Sequence, residues 1–214
     1  METIDSRFTP EQAAVMAALD SPPRIQAFLD NCQYPEESYN RSSLRVLDER
    51  RAHCLDGGLF AAMALRRLGY PPLVVDMFPD PGMDDDHVLA VFKRDGRWGA
   101  LAKSNFAGLR YRDPVYASLR ELIMSYFPQY YNIDGLKTLR TYTMPLNLER
   151  FDKLGWEWSD SGVDGVEQVL LARQRIPLLT AQAAAELTPV DELTYRAGLI
   201  ETNMDGLYQP KKDA

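Results

Sequence analysis

Apolar residues crowd every face of the stretch CLDGGLFAAMALRRLGY. Leu55, Leu59, Ala62, Met63, Leu65 and Leu68 predict a largely buried helix that opens at Cys54 and closes at Gly69. The Arg66–Arg67 pair suits the negative end of a helix dipole, and Gly69 suits a left-handed C-terminal position. Two capped helices precede it. Thr9-Pro10-Glu11-Gln12 carries an N-cap, a proline at the first helical position and a capping-box glutamine, for a helix to about Leu19. Ser21-Pro22 repeats the signal, with Ile25, Phe28 and Leu29 on one face and an end near Cys32. Gln33–Ser43 is polar and reads as a loop, and Leu44–Arg51 as a short helix.

After Tyr70, Pro71-Pro72 ends helical structure and the period changes. Leu73–Met77, His87–Lys93 and Arg97–Lys103 read as strands, the last two joined by a hairpin turn at Arg94-Asp95-Gly96. Asp113-Pro114 has the form of a helix start, and apolar residues from Val115 to Phe127 follow at helical spacing, so an amphipathic helix is expected there. Leu139–Thr143 is a further candidate strand. Beyond Pro145 the chain reads as a helical tail, with helices at Val163–Arg173 and Pro189–Ala197. Residues 1–8 and Gln209–Ala214 read as loose ends. Helices first and sequential antiparallel strands after them give an α+β class, with a core over residues 1–145 and a C-terminal helical extension over 146–214 packed on it.

Composition narrows the function classes. The 214 residues carry a formal charge of −7, which argues against nucleic acid or an anionic membrane as the main partner. No apolar run is long enough to span a bilayer, and METIDSRFTPEQ has neither the basic nor the apolar region of an export signal, so a cytoplasmic location is expected. Cys32 and Cys54 then read as free thiols, Cys32 as a core residue. With two cysteines and two histidines there is no four-ligand zinc pattern, and no cofactor is expected.

The candidate chemistry is a thiol at a helix N-terminus, Cys54, and an imidazole at the head of a strand, His87. The helix end stabilises a thiolate and a neighbouring imidazolium does so further, whereas Asp56 opposes it. His53 adjoins Cys54 in sequence but points elsewhere, and is the poorer base. Gly57 and Gly58 in the first turn weaken the helix and fit a close approach, by a substrate acyl group or by a packed strand; for Gly58 packing is favoured. Asp84-Asp85-Asp86 could hold the imidazole charged or offer carboxylates to a hard cation, a weak alternative. Hairpin geometry puts the group that orients His87 within Ala102–Asn105, where Ser104 and Asn105 are able to accept from an imidazole N–H. Asp76 is an outside candidate. Lys103, Arg110 and Arg112 are either cleft-lining cations or a solvated loop.

The stretches RAHCLDGGLFAAMALRRLGYPPLVVDM and DDDHVLAVFKRDGRWGALAKSNF, with a Cys opening a helix, a Leu-Gly-Tyr-Pro exit, a His heading a strand and a Trp in the next, resemble the transglutaminase-like domain of the papain-like cysteine hydrolase superfamily. The resemblance covers roughly residues 42–143, and a bacterial group of unassigned activity is the most similar part of it. It implies a papain/transglutaminase-like core, Cys54 as nucleophile, His87 as general base, and the Cys54 backbone N–H in an oxyanion hole. The family carboxylate falls four residues after the strand Trp; here that position after Trp98 is Ala102, with Asn105 or Ser104 as substitutes. The expected function is thiol-dependent acyl transfer on a peptide, amide or other acyl substrate, hydrolysis ahead of cross-linking. The alternative is a weak or inactive domain retained for binding.

Overall fold

The computed structural model describes residues 4–208. The chain opens with helices α1 (Pro10–Ala18), α2 (Pro22–Asp30), α3 (Ser43–Glu49) and α4 (Cys54–Arg67). Strands β1 (Leu73–Pro79), β2 (His87–Arg94), β3 (Arg97–Leu101) and β4 (Arg112–Tyr116) follow, then α5 (Leu119–Met124), β5 (Leu139–Thr143), β6 (Leu146–Asn147), α6 (Asp160–Leu171), β7 (Arg175–Pro177), α7 (Ala181–Ala185) and α8 (Glu192–Gly198). The sheet is antiparallel in the order β4-β3-β2-β1-β5-β7, with β6 pairing with the opposite end of β1 from β5. Helices and antiparallel sheet are therefore mixed in one fold. No helix among the described residues is long and apolar enough to cross a membrane.

Strand alternation divides the core. Val74, Val88, Ala90 and Phe92 face α4 and pack with Leu59, Phe60 and Met63. Val75, Leu89 and Val91 face the other way, onto Leu122, Ile123, Tyr126 and Tyr130. The α1 start carries its capping box, with Gln12 N–H on Thr9 Oγ1 at 3.2 Å and Thr9 N–H on Gln12 Oε1 at 2.7 Å. The hairpin between β2 and β3 pairs Arg94 with Arg97, so its loop is the two residues Asp95 and Gly96, both at positive φ (51° and 76°) as a primed turn requires.

Three expectations are corrected. Arg112–Tyr116 is not a helix but edge strand β4. Trp98 pairs with Tyr116 and Ala100 with Arg112, and helix α5 starts later, where Ser118 caps Glu121 N–H. Proline at 114 is tolerated there because an edge strand can lack one donor. The segment after Pro145 is not purely helical. β6 and β7 join the sheet, and Leu146, Leu148, Trp156, Val163 and Val166 complete the α4-side core. At the start of the chain, Ile4–Arg7 forms a 3-10 turn with Ile4 buried; the expected loose end over Gln209–Ala214 lies outside the described residues.

Candidate functional site

Helix α4 is held at its N-terminus by a buried charged knot. Asp56 accepts from the backbone N–H groups of Arg41 (2.8 Å) and His53 (3.1 Å), and the Arg41 guanidinium, fully buried, lies 3.7 Å from it and 3.0 Å from Glu49. Burial raises the Asp56 carboxyl above its ordinary value, against the pull of those donors and of nearby cations. The first turn then presses onto β2. A side chain at Gly58 would stand 2.9 Å from Val88 Cγ1, and one at Gly57 would collide with Lys103 Cβ, so both glycines serve packing against the sheet. This fixes Cys54, the first residue of α4, beside the backbone that leads into β2.

The Cys54 thiol donates to the Asp86 carbonyl at 3.7 Å. Asp86 immediately precedes His87, so the thiol reaches the peptide junction that leads into His87. No hydrogen bond joins thiol and imidazole among the described residues. His87 shares the sheet face of Leu89 and Val91, and its Nε2 lies 2.8 Å from the Leu109 carbonyl. A carbonyl only accepts, so Nε2 carries the proton and Nδ1 keeps its lone pair. The ring also meets Tyr130 edge-on at 6.4 Å.

Both groups are neutral here. Burial pushes the Cys54 thiol well above its ordinary value, with the negative charges of Asp86 and Asp85 adding to it, while the Val88 backbone N–H pulls weakly down. Burial also lowers His87 to about 4, against the upward effect of the Leu109 carbonyl. The thiolate that a helix N-terminus favours is therefore not what the folded chain holds at neutral pH. Asp86 is itself raised to about 6, by burial first and then by Asp85. Asp76 is pushed well above the carboxylate range by burial and then by the charge of Asp86, with which it shares a hydrogen bond.

The other predicted residues go to different partners. Ser104 Oγ accepts from Phe106 N–H at 3.0 Å. Asn105 spends its carboxamide on Asn203, donating to its carbonyl at 2.8 Å and accepting from its N–H at 2.9 Å. Ala102, the position of the family carboxylate, is fully buried, and its backbone is bonded on both sides by Gln26 (3.1 and 2.9 Å). The hydrogen bond on the imidazole comes instead from Leu109, beyond the hairpin window. Only the folding of 102–111 back toward β2 brings it there, and no motif marked it. Lys103 is buried with its ammonium on the Cys32 carbonyl, Arg110 pairs with Asp30 at 3.6 Å, and Arg112 bonds the Gly108 carbonyl at 2.9 Å. None of the three cations lines the cavity beside His87. The His53 ring is bonded to the Glu37 carbonyl. Among the described residues no group of three or more His, Cys, Asp or Glu is arranged to hold a metal ion.

The cavity beside His87 is small, about 50 Å³, and is lined by Asp84–Asp86, Leu109, Tyr130 and Gly206–Tyr208 among others. A roomier depression of about 270 Å³ lies at the opposite end of α4, but its cations are already paired, Arg66 with Asp152 at 2.8 Å and Arg67 with Asp5.

No family model matches the chain, and no curated protein does. Among solved structures it is similar to LapG of Legionella pneumophila, with a TM-score of 0.36 and 11% identity over 47% of this chain and 68% of that one. A second structure of the same protein, treated with EGTA, gives 0.35 and 11% over 47% and 66%. The match is too slight to show a family. A similarity of that size carries no argument about the site, which rests on its own geometry.

Proposed function

We propose that the chain is a thiol-dependent acyl-transfer enzyme of the papain/transglutaminase-like class, held in a closed and neutral form, with Cys54 as nucleophile and His87 as base. The observation that carries this reading is the 2.8 Å bond from His87 Nε2 to the Leu109 carbonyl. It leaves Nδ1 unprotonated, the state a base requires, on a ring fixed one peptide unit from the carbonyl that holds the Cys54 thiol. On a bound peptide, amide or ester, Sγ attacks the carbonyl carbon as Nδ1 takes the thiol proton. The same proton then goes to the leaving amine or alkoxide, and water or an amine resolves the acyl-enzyme. In this reading the Cys54 backbone N–H, at the start of α4, serves as an oxyanion donor. A carbonyl in place of a carboxylate orients the ring without a full charge to stabilise imidazolium, so turnover is expected to be slow.

The test is acylation by p-nitrophenyl acetate in a Cys32→Ser background, read by mass spectrometry. Acetyl transfer to Cys54 should fall roughly 100-fold or more in His87→Ala. Equal rates with and without the imidazole would sink the catalytic reading. The second reading, a binding module on the same fold, draws on the absence of a thiol–imidazole hydrogen bond and on Ala102 at the carboxylate position.

A further inference from the structure

The cavity beside His87 is lined in part by the chain's own segment 202–208, and the way this segment is held points to a peptide. Asn105, buried beneath it, clamps both backbone groups of Asn203 with its one carboxamide. Thr202 Oγ1 adds a bond to the Asn105 carbonyl at 3.0 Å, and Asn203 Nδ2 donates to the Tyr34 carbonyl at 3.0 Å. The Asn105 clamp reads main chain, and the Asn203 side chain adds a bond to the Tyr34 carbonyl, which favours asparagine at that residue. Further selectivity comes three residues later. A Cβ on Gly206 would stand 3.1 Å from the Pro35 carbonyl and 3.2 Å from Tyr34 Cδ1, closer than ordinary contact, so the groove narrows to a glycine there. Leu207, buried, and Tyr208 then line the same cavity as His87 and Tyr130.

We infer that Asn105, the Tyr34 and Pro35 carbonyls and the His87 cavity form a groove for a peptide folded in a tight turn, the 3-10 conformation of Met204–Gly206 in the chain's own segment. Its ligand has glycine three residues after the clamped residue and an apolar residue after the glycine. Segment 202–208 is its internal occupant and fills part of the wall of the cavity beside His87. This deepens the acyl-transfer reading by naming a substrate class, a peptide chain, and rests on that reading only for the reaction at Cys54. The segment is tethered, so it competes with outside peptide at an effective concentration on the order of millimolar.

The test keeps the full chain and weakens the occupant. Asn203→Pro removes the clamped N–H at a residue whose φ of −73° already suits proline. Gly206→Val disturbs the other end of the segment, and a melting temperature near that of the parent establishes that each variant is folded. Labelled peptide Thr202–Tyr208 is titrated by fluorescence anisotropy. Both variants should bind it at least tenfold more tightly than the parent chain, and a peptide with Gly206→Ala should bind at least tenfold more weakly than the native sequence. Equal binding by parent and folded variants, no binding by either variant at millimolar peptide, or indifference to the glycine would overturn the groove. Iodoacetamide labelling of Cys54 in the same variants separates the two proposals. Peptide binding without faster labelling keeps the groove and counts against Cys54 as the group that attacks the bound peptide.

Discussion

Cys32 and Cys54 are both buried free thiols near helix ends, both pushed up by burial, and both bonded to a backbone carbonyl. Cys32 donates to the Phe28 carbonyl at 3.4 Å, inside its own helix region, and rises to about 11, with the charges of Lys103 and Arg50 holding it down. Cys54 stands at the positive end of α4, yet lacks a comparable cation and faces Asp85 and Asp86. The helix terminus, worth of order 1 kcal/mol, loses to desolvation and two carboxylates. What separates the two thiols is thus not protonation state. The Cys54 thiol bonds the carbonyl of Asp86, the residue before His87 and itself in the wall of the small cavity, whereas Cys32 bonds a carbonyl of α2, the helix just before it.

The comparison can be broken most forcefully at the knot that positions Cys54. Arg41→Ala leaves Asp56 buried without its guanidinium and should cost about 3–5 kcal/mol in urea unfolding. A loss below about 1 kcal/mol would mean that α4 is anchored by packing alone. A smaller effect separates the site by pH. The folded chain holds His87 at about 4 against 6.5 when free, so it binds fewer protons than the unfolded chain between those values. The imidazole is therefore accommodated without penalty above pH 6.5, and stability drains as pH falls toward 4, by roughly 3 kcal/mol from this group. Asp84 and Asp86, raised to about 6, act in the opposite direction, costing stability as pH rises from 3.8 through 6. The difference between the parent and His87→Gln isolates the imidazole, and a flat difference over pH 4–6.5 would mean that His87 is charged or solvated in the fold. Smallest is Ser104→Ala, which removes one acceptor for Phe106 N–H. It should cost about 1 kcal/mol and leave the pH dependence of His87 unchanged, since Leu109 rather than Ser104 bonds the ring. A changed pH profile would return Ser104 to the site.

Local signals were legible where one stretch of chain settles the matter. Capping at Thr9 follows from a side-chain bond made within three residues, the Gly69 exit and the Asp95-Gly96 turn from backbone conformations that few residues adopt, and the alternation of β1 and β2 from burial on two faces. The segment 113–127 misled because Asp-Pro and an apolar run satisfy a helix locally. Pairing of Trp98 with Tyr116 across the sheet edge was the stronger term, and it is not written in either stretch alone.

By itself the sequence determined that Cys54 opens a buried helix and that His87 heads a strand, because periodicity and end signals act within a few residues. Tertiary structure alone decided that the Cys54 thiol reaches the Asp86 carbonyl, that Leu109 holds the His87 ring and that Asn105 grips residue 203. It also decided that the thiol and imidazole are neutral. Each of these depends on which distant backbone groups are folded against the site and on how much water they exclude, and desolvation is a property of the assembled protein.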